Sequence, residues 1–404
     1  MATVRVGRSL IGVAAALVIL VVAERSLPAQ GSAPKFGDPL PGIIPADFER
    51  FRVGLDDFME VETAEEGLGP AFNAGSCAVC HSVPAIGGTS LVSEVRAAHR
   101  DEQGQIHPLT GADGNPLDTL FHLFSTPPHA CQPVLPPGAN VIARRVPIPL
   151  FGAGLVEAID DHTLLALEDP NDSNADGISG RAARVIDIGT GQVRVGRFGW
   201  KAQHATLRTF SADAYRNEMG ITNELFPGEL ATGVSAAHMK LCDPFPDPED
   251  VVDPRTGLAA IDNFEAFLKF LAPPPRGAIN QTVRNGEQVF TAIGCGLCHT
   301  PVLETGLDRH PLFFRKPVPL FSDLLLHDIG TGDGIPQAEA RPTEIRTPAL
   351  WGLRVRRPLL HDSSAATPEE AIGRHRGEAE LVRRFFDQLA PAQRAMLLAF
   401  LDSL

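Results

Sequence analysis

Apolar residues fall at helical spacing in five stretches of the chain. Phe48, Phe51, Leu55 and Phe58 share one stripe behind Asp47, which is placed to cap an N-terminus, so a first amphipathic helix is expected there. A second is expected over residues 155–167. Leu258, Ile261, Phe264, Phe267, Leu268 and Leu271 repeat every three or four positions, and Pro273-Pro274-Pro275 ends that helix and reads as a linker. After it, a helix from about Asn280 carries Val283, Gly286, Val289 and Phe290, and a last one follows Ala390-Pro391 with Leu397, Leu398, Phe400 and Leu401. Period-two alternation is scarce. The segment 184–198, turning at Gly189-Thr190-Gly191, is the expected hairpin, and residues 83–138, rich in Pro, Gly and His, are expected as long loops.

Each half of this pattern contains the same pentapeptide type, Cys77-Ala78-Val79-Cys80-His81 and Cys295-Gly296-Leu297-Cys298-His299. Two thiols three positions apart on one helical turn reach both vinyl groups of a porphyrin, and the next residue brings its imidazole under the iron. Each box therefore reads as a covalent haem c site, with Cys77, Cys80, Cys295 and Cys298 attaching the porphyrins and His81 and His299 ligating the irons. On its own a C-x-x-C reads as a zinc half-site or a thioredoxin-like redox pair, and two halves could join as a four-Cys zinc site. Neither reading accounts for the histidine that follows both times. Helix, haem box, loops and closing Leu/Phe helix thus occur twice, as in an internal duplication. The expected fold is mainly α: two cytochrome c-like domains with long loops and a small β hairpin. The N-terminal haem c domain is expected over residues 34–275 with an insertion, and the C-terminal one over 276–404.

Length and composition suit this. The chain has 404 residues, enough for two or three domains, and 44% hydrophobic content to fill their cores. A formal net charge of −14 argues against nucleic acid and favours a basic or dipolar soluble partner. Residues 1–33 carry Arg5 and Arg8 ahead of the apolar run Leu10–Ala23, which is short for a spanning helix, and small residues follow at Gly31-Ser32-Ala33. This reads as a signal peptide or, since no A-x-A site stands out, as an uncleaved N-terminal anchor and the only expected membrane contact. Either delivers the folded part to an oxidising compartment where haem c is attached, with the bacterial periplasm the expected one. Cys131 and Cys242 are left over from the haem boxes, and a disulfide between them is expected in such a compartment.

Further motifs carry a resemblance. Phe321-Ser322-Asp323-Leu324-Leu325-Leu326-His327-Asp328, Arg346-Thr347-Pro348-Ala349-Leu350-Trp351-Gly352, Leu360-His361-Asp362-Ser363-Ser364, the helix start Glu369-Glu370-Ala371-Ile372 and Asn217-Glu218-Met219-Gly220 resemble the bacterial di-haem cytochrome c peroxidase superfamily, most of all its long-chain di-haem oxidoreductase branch. The match covers nearly everything from about Gly69 to Leu404. It implies one haem that receives electrons and another where peroxide reacts. It places the far-side ligand of the C-terminal haem at His375, where better-known members have Met; imidazole in place of thioether lowers the reduction potential. It makes Glu218 the acid/base carboxylate over the peroxidatic haem, able to take a proton from bound peroxide and return it to the departing oxygen, and Trp200 the aromatic between the two haems. Near Thr209-Phe210-Ser211, where relatives carry a glutamine that helps position peroxide, this chain has none. For the far side of the N-terminal haem the resemblance points to His99, with His107, His122, His129 and Met219 competing and an open or water-bound iron as a further option.

Plainer readings stand beside these. Trp200 reads equally as core, Glu218 as a solvated carboxylate, and His327 and His361 as hydrogen-bonding residues rather than ligands. Asp172, Asn174 and Asp176 with Gly177 fit the opening of a calcium loop, yet Ala183 stands where the closing Glu belongs, so a polar turn is the alternative. The expected function is a periplasmic dihaem peroxidase that reduces hydrogen peroxide with electrons from a small redox protein, a cytochrome c or a cupredoxin. The alternatives are a non-catalytic dihaem electron carrier and a haem oxygenase or oxidase acting on an organic substrate.

Overall fold

The computed structural model describes Met1 and residues 33–404 other than 111–116, 128, 244 and 246–249; the expected export segment lies outside the described residues but for its ends. The elements that position the site are helix α1 (Pro45–Met59), strands β1 (Glu94–Arg100), β2 (Val141–Arg145), β3 (Arg184–Asp187) and β4 (Gln192–Val195), and helices α2 (Leu207–Ala214), α3 (Ala260–Phe270), α4 (Gln281–Ala292) and α5 (Pro391–Leu401). Helix outweighs strand by 30% to 15%, so the chain is mainly α with small sheets.

One packing unit occurs twice. In α1, Gly54 faces α3 so closely that a Cβ there would lie 2.0 Å from the Asn263 carbonyl oxygen; in α4, a Cβ on Gly286 would lie 2.0 Å from that of Met396 in α5. Only a missing side chain allows the two backbones to meet. Four residues after each glycine comes a phenylalanine, and four after each carbonyl comes another. The pairs Phe58–Phe267 and Phe290–Phe400 meet at 4.9 and 5.2 Å between ring centroids. Phe58 and Phe290 in turn stand 6.1 and 6.4 Å from the rings of His81 and His299. The larger apolar core joins α1, α2 and α3 to Leu303, Phe313, Leu320 and Trp351 and so runs across the Pro273–Pro275 segment, while a second core from Val283 to Leu404 holds α4 and α5 together.

Several local expectations are corrected. Asp47 does not cap α1: Ile44 does, Pro45 fills the first turn where its missing N–H costs nothing, and Asp47 is buried, 2.9 Å from His310 Nε2. Phe48 is exposed, since Gly54 and Val53 take the inner face. The segment 155–167 is not one helix but two short ones, Ala153–Glu157 and Asp161–Leu165, because the Ala158 carbonyl is given to the Gly306 N–H and Ile159 pairs with Thr305. Residues 83–138 hold more than loops. β1 pairs antiparallel with β2, with Ile106–His107 and with Leu120–Phe121. Val95, Arg96, Ala97 and Ala98 are all buried, so β1 is covered on both faces and shows no alternation. The expected hairpin is present, β3 and β4 pairing with Arg184 opposite Val195. Cys131 and Cys242 form a disulfide, with Cα atoms 5.8 Å apart. Among the described residues no helix is long and apolar enough to cross a membrane.

Candidate functional site

Two cavities open beside the two boxes. Ser76 caps the turn Cys77–Cys80 by accepting from the Ala78 N–H, and that turn puts Cys77, Cys80 and His81 on the wall of the N-terminal cavity. Gly294, at φ 95°, turns the chain so that Cys295, Cys298 and His299 line the C-terminal cavity. The boxes thus serve separate cavities, and no four-Cys cluster exists among the described residues. Burial pushes the thiols of Cys77, Cys80 and Cys295 up to about 12 and raises that of Cys298. Neutral thiols in apolar walls make a poor zinc site, which needs thiolates.

The imidazoles are set up as ligands. Nδ1 of His81, His299 and His375 lies 2.9, 3.1 and 2.8 Å from the carbonyls of Gly88, Phe321 and Ala371. A carbonyl only accepts, so Nδ1 carries the proton and Nε2 keeps its lone pair. Burial pushes His81 and His299 down to about 4 and lowers His375 as well, so all three are neutral near pH 7. His375 lines the C-terminal cavity together with His299. In the N-terminal cavity His81 is the one imidazole among the described lining residues.

His99, the expected ligand there, faces away from the cavity. The register of β1 turns its Nδ1 to the Gly138 carbonyl at 2.8 Å, and it lines neither cavity. His107 pairs with Asp101, His122 donates to the Asn217 carbonyl and His129 meets Ser125, all outside the N-terminal cavity. Met219 does line it, with its sulfur 3.9 Å from Cys77 Sγ.

Glu218 lies in a π-helical turn, residues 215–219, that ends α2, a feature common at functional sites. Its backbone carbonyl accepts from the N–H groups of Asn73 and Ala74 at 2.7 and 3.2 Å, and its Oε2 accepts from Asn73 Nδ2 at 2.9 Å, which ties it to the segment just before the first box. A second carboxylate, Glu94 on β1, lines the same cavity. Arg96 grips both its oxygens, at 2.8 and 3.1 Å, since residues two apart on a strand share a face. Arg145, opposite Glu94 in the ladder with β2, stands 3.7 Å away. Burial, and then the neighbouring Glu94, raise Glu218 well above the carboxylate range; burial works the same way on Glu94, but Arg96 and Arg145 outweigh it and hold Glu94 low. Glu94, Arg96, Arg145 and Asn73 were not visible as site residues in the sequence, because strand pairing assembles them. A glutamine also reaches this cavity: Gln203, from the turn after Trp200, rather than from residues 209–211. Ser211 Oγ lines the cavity too, buried without a hydrogen-bond partner.

Trp200 lines both cavities. Its Nε1–H donates to the Val146 carbonyl at 2.8 Å, the Val146 N–H donates to the His361 carbonyl at 2.8 Å, and its ring stands edge-on to that of His361 at 6.1 Å. Beside it the fully buried Lys201 donates from Nζ to the carbonyls of Glu344, Arg341 and Pro342 at 2.6, 3.2 and 3.3 Å and pairs with Asp333 at 3.2 Å. Asp333 also binds Arg145 at 2.6 Å, so one ion network fixes the indole between the cavities. In the C-terminal cavity His327 sits between Asp323 at 2.9 Å and Glu378 at 2.8 Å; burial opposes its charge, but these carboxylates raise it well above 6.5, so it is an imidazolium. The loop around Asp172, Asn174 and Asp176 is held by hydrogen bonds of its own. Asp172 accepts from the Gly177 N–H at 3.1 Å, Asp176 from the Ile178 N–H at 2.9 Å, and Asn174 Nδ2 donates to Asp176 at 3.0 Å.

The model of the family described as "Di-haem oxidoreductase, putative peroxidase" matches residues 138–404, a span that contains Trp200, Glu218 and the second box. The chain belongs to this family. This di-haem oxidoreductase is a redox enzyme with two haem groups, and its two cavities, each with a Cys-Cys-His wall and a free Nε2, fit them. Among solved structures it is similar to a MauG-like protein associated with microbial copper homeostasis (16% identity, 63% of this chain and 89% of that one, TM-score 0.32). It is also similar to hydrazine synthase of Kuenenia stuttgartiensis (14%, 94% and 98%, 0.42) and to a variant of the diheme peroxidase BthA of Burkholderia thailandensis E264 (14%, 92% and 89%, 0.41). No curated protein matches the chain.

Proposed function

We propose that this is an exported, periplasmic peroxidase of two cytochrome c-like halves that reduces hydrogen peroxide with electrons from a small redox protein, a cytochrome c or a cupredoxin. The observation that carries the reading is the inequality of the two cavities: one has further imidazoles beside that of its box, His375 among them, whereas the other has His81 alone together with the carboxyl groups of Glu94 and Glu218. Haem c would be attached through Cys77 and Cys80 with His81 as ligand, and through Cys295 and Cys298 with His299 and His375 as ligands. A haem in the N-terminal cavity supplies the iron to which peroxide binds and the path for its electrons. The chain's own residues do the rest. Glu218, raised in proton affinity and held by Asn73, is the acid form near neutral pH and can give a proton to the departing oxygen. Gln203 and Ser211 offer hydrogen bonds to the oxidant in the same cavity. Trp200, in the wall of both cavities, is placed to assist electron passage, and its indole N–H is fixed by the Val146 carbonyl.

A two-haem electron carrier would need a second strong ligand in the N-terminal cavity; its described lining holds no imidazole besides His81, and the Met219 thioether rests against Cys77 Sγ at 3.9 Å. The test mixes the purified holoprotein with hydrogen peroxide and a reduced cytochrome c or cupredoxin. Two donor molecules should be oxidised per peroxide consumed. Absence of donor oxidation, with both haems inert to added azide, contradicts the proposal and supports the carrier.

A further inference from the structure

We propose that Glu94 is the positioning residue for the proton that Glu218 carries: the two side chains form one carboxyl–carboxylate pair in the N-terminal cavity, with Glu94 the fixed anion. The use made of this pair rests on the peroxidase reading above; its existence does not. Both carboxyl groups face the one cavity, and two neighbouring carboxyls there hold a proton between them rather than both ionise. Their surroundings decide which of them carries it. Glu94 has the Arg96 fork on both oxygens and Arg145 at 3.7 Å, whereas Glu218 has only the neutral amide of Asn73 at 2.9 Å. Cations favour the anion on Glu94, so the proton stays on Glu218.

The other charges packed around the pair leave no room for a second anion. Arg96 is shared with Asp118 at 3.7 Å and Arg145 with Asp333 at 2.6 Å, and Asp333 is in turn matched by Lys201 at 3.2 Å. Asp213, in the same cavity, pairs with Arg216 at 3.6 Å and meets His204 Nε2 at 2.8 Å. Arg145 Nη2 is buried without a partner, so the cation is not saturated, and its remaining donor is available to Glu94 or to an oxygen in the cavity. Two neighbouring carboxyl groups in one such cavity do not both ionise near neutral pH.

The pair gives the reaction its first proton. Glu218 O–H donates to the outer oxygen of HOOH, the O–O bond breaks with its electron pair on that oxygen, and a water leaves. The inner oxygen takes up two electrons from the reduced redox protein and one further proton from solvent and leaves as the second water, so the sum is HOOH + 2 H⁺ + 2 e⁻ → 2 H₂O. Glu218, now an anion against the anion of Glu94, regains its proton from solvent before the next turnover.

The test is an infrared titration of the holoprotein, following the protonated-carboxyl stretch that disappears in Glu218→Gln. In the natural protein this band should persist through neutral pH. In Glu94→Gln it should be lost about one pH unit or more lower, and in Glu94→Asp, which keeps the anion, it should stay near the natural position. The alkaline limb of kcat/KM for peroxide should move with it, while both haem spectra stay unchanged. A band that titrates in the ordinary carboxylate range in the natural protein, or that Glu94→Gln leaves in place, overturns the proposal. If the band behaves as stated but peroxide is not turned over, the pair stands and the peroxidase reading falls.

Discussion

Replacing Glu218 by Gln removes a proton and almost nothing else. The amide keeps an oxygen to accept from Asn73 Nδ2, so no buried donor is stranded, and the backbone bonds from Asn73 and Ala74 to the residue 218 carbonyl are untouched. Because Glu218 is neutral near pH 7, the exchange is neutral for neutral, and stability should change by less than about 1 kcal/mol. A positioned acid or base contributes about 10²–10⁴-fold to rate. At about 1.4 kcal/mol per tenfold this is about 3–5 kcal/mol of barrier. The upper half of that range applies, since the nearest other carboxylate, Glu94, is held as an anion by Arg96 and Arg145 and cannot stand in as the acid. Gln203 and Ser211 are untouched, so the other hydrogen-bonding groups of the cavity are retained. Stopped-flow oxidation of a reduced donor at varied peroxide should therefore show kcat/KM lowered about 10³–10⁴-fold with both haem spectra intact. A loss of less than about tenfold would remove Glu218 from proton transfer, whatever else it does.

Other outcomes follow from the packing and the charges. Gly286→Ala puts a methyl 2.0 Å from the Met396 carbonyl oxygen and 2.7 Å from Phe400 Cβ, so it should destabilise by about 1–3 kcal/mol in thermal melts, and an unchanged melting temperature would refute the close crossing. His375→Met should raise the midpoint potential of one haem and leave the other where it was; a redox titration with neither moved excludes His375 as a ligand. Burial works against the charge of Asp333, but Arg145 and Lys201 hold it down to about 2. Its folded value lies below the unfolded value of about 3.9, so its contribution is full above pH ~4 and is lost as pH falls towards 2. That is about 2–3 kcal/mol, and denaturant titrations at a series of pH values should show this slope reduced in Asp333→Asn; equal slopes contradict the network.

How much of this the sequence disclosed depends on whether a feature is local. The boxes, the stripes of α3, α4 and α5 and the turn at Gly189-Thr190-Gly191 are read within a few positions of one another, and each is present at its expected place. The carboxyl pair is not local. Glu94 and Arg145 face each other only because β1 and β2 pair in that register, and β1 is hidden by burial on both faces. His99 looked available by spacing from His81, yet the same strand turns it to the Gly138 carbonyl. The break at Ala158 depends on Gly306, far along the chain, taking its carbonyl, and no helical periodicity can report that. Trp200 is one residue in the chain but belongs to both cavities, a property that only the fold confers.

The central claim is that this chain holds two haems of unlike coordination, and electron spin resonance of the purified oxidised protein, before and after addition of azide, tests it most directly. The account predicts two haems per chain: one low-spin with two imidazoles and indifferent to azide, the other with a single histidine and altered by it. Two low-spin, azide-inert haems, or a chain bearing only one, would contradict it.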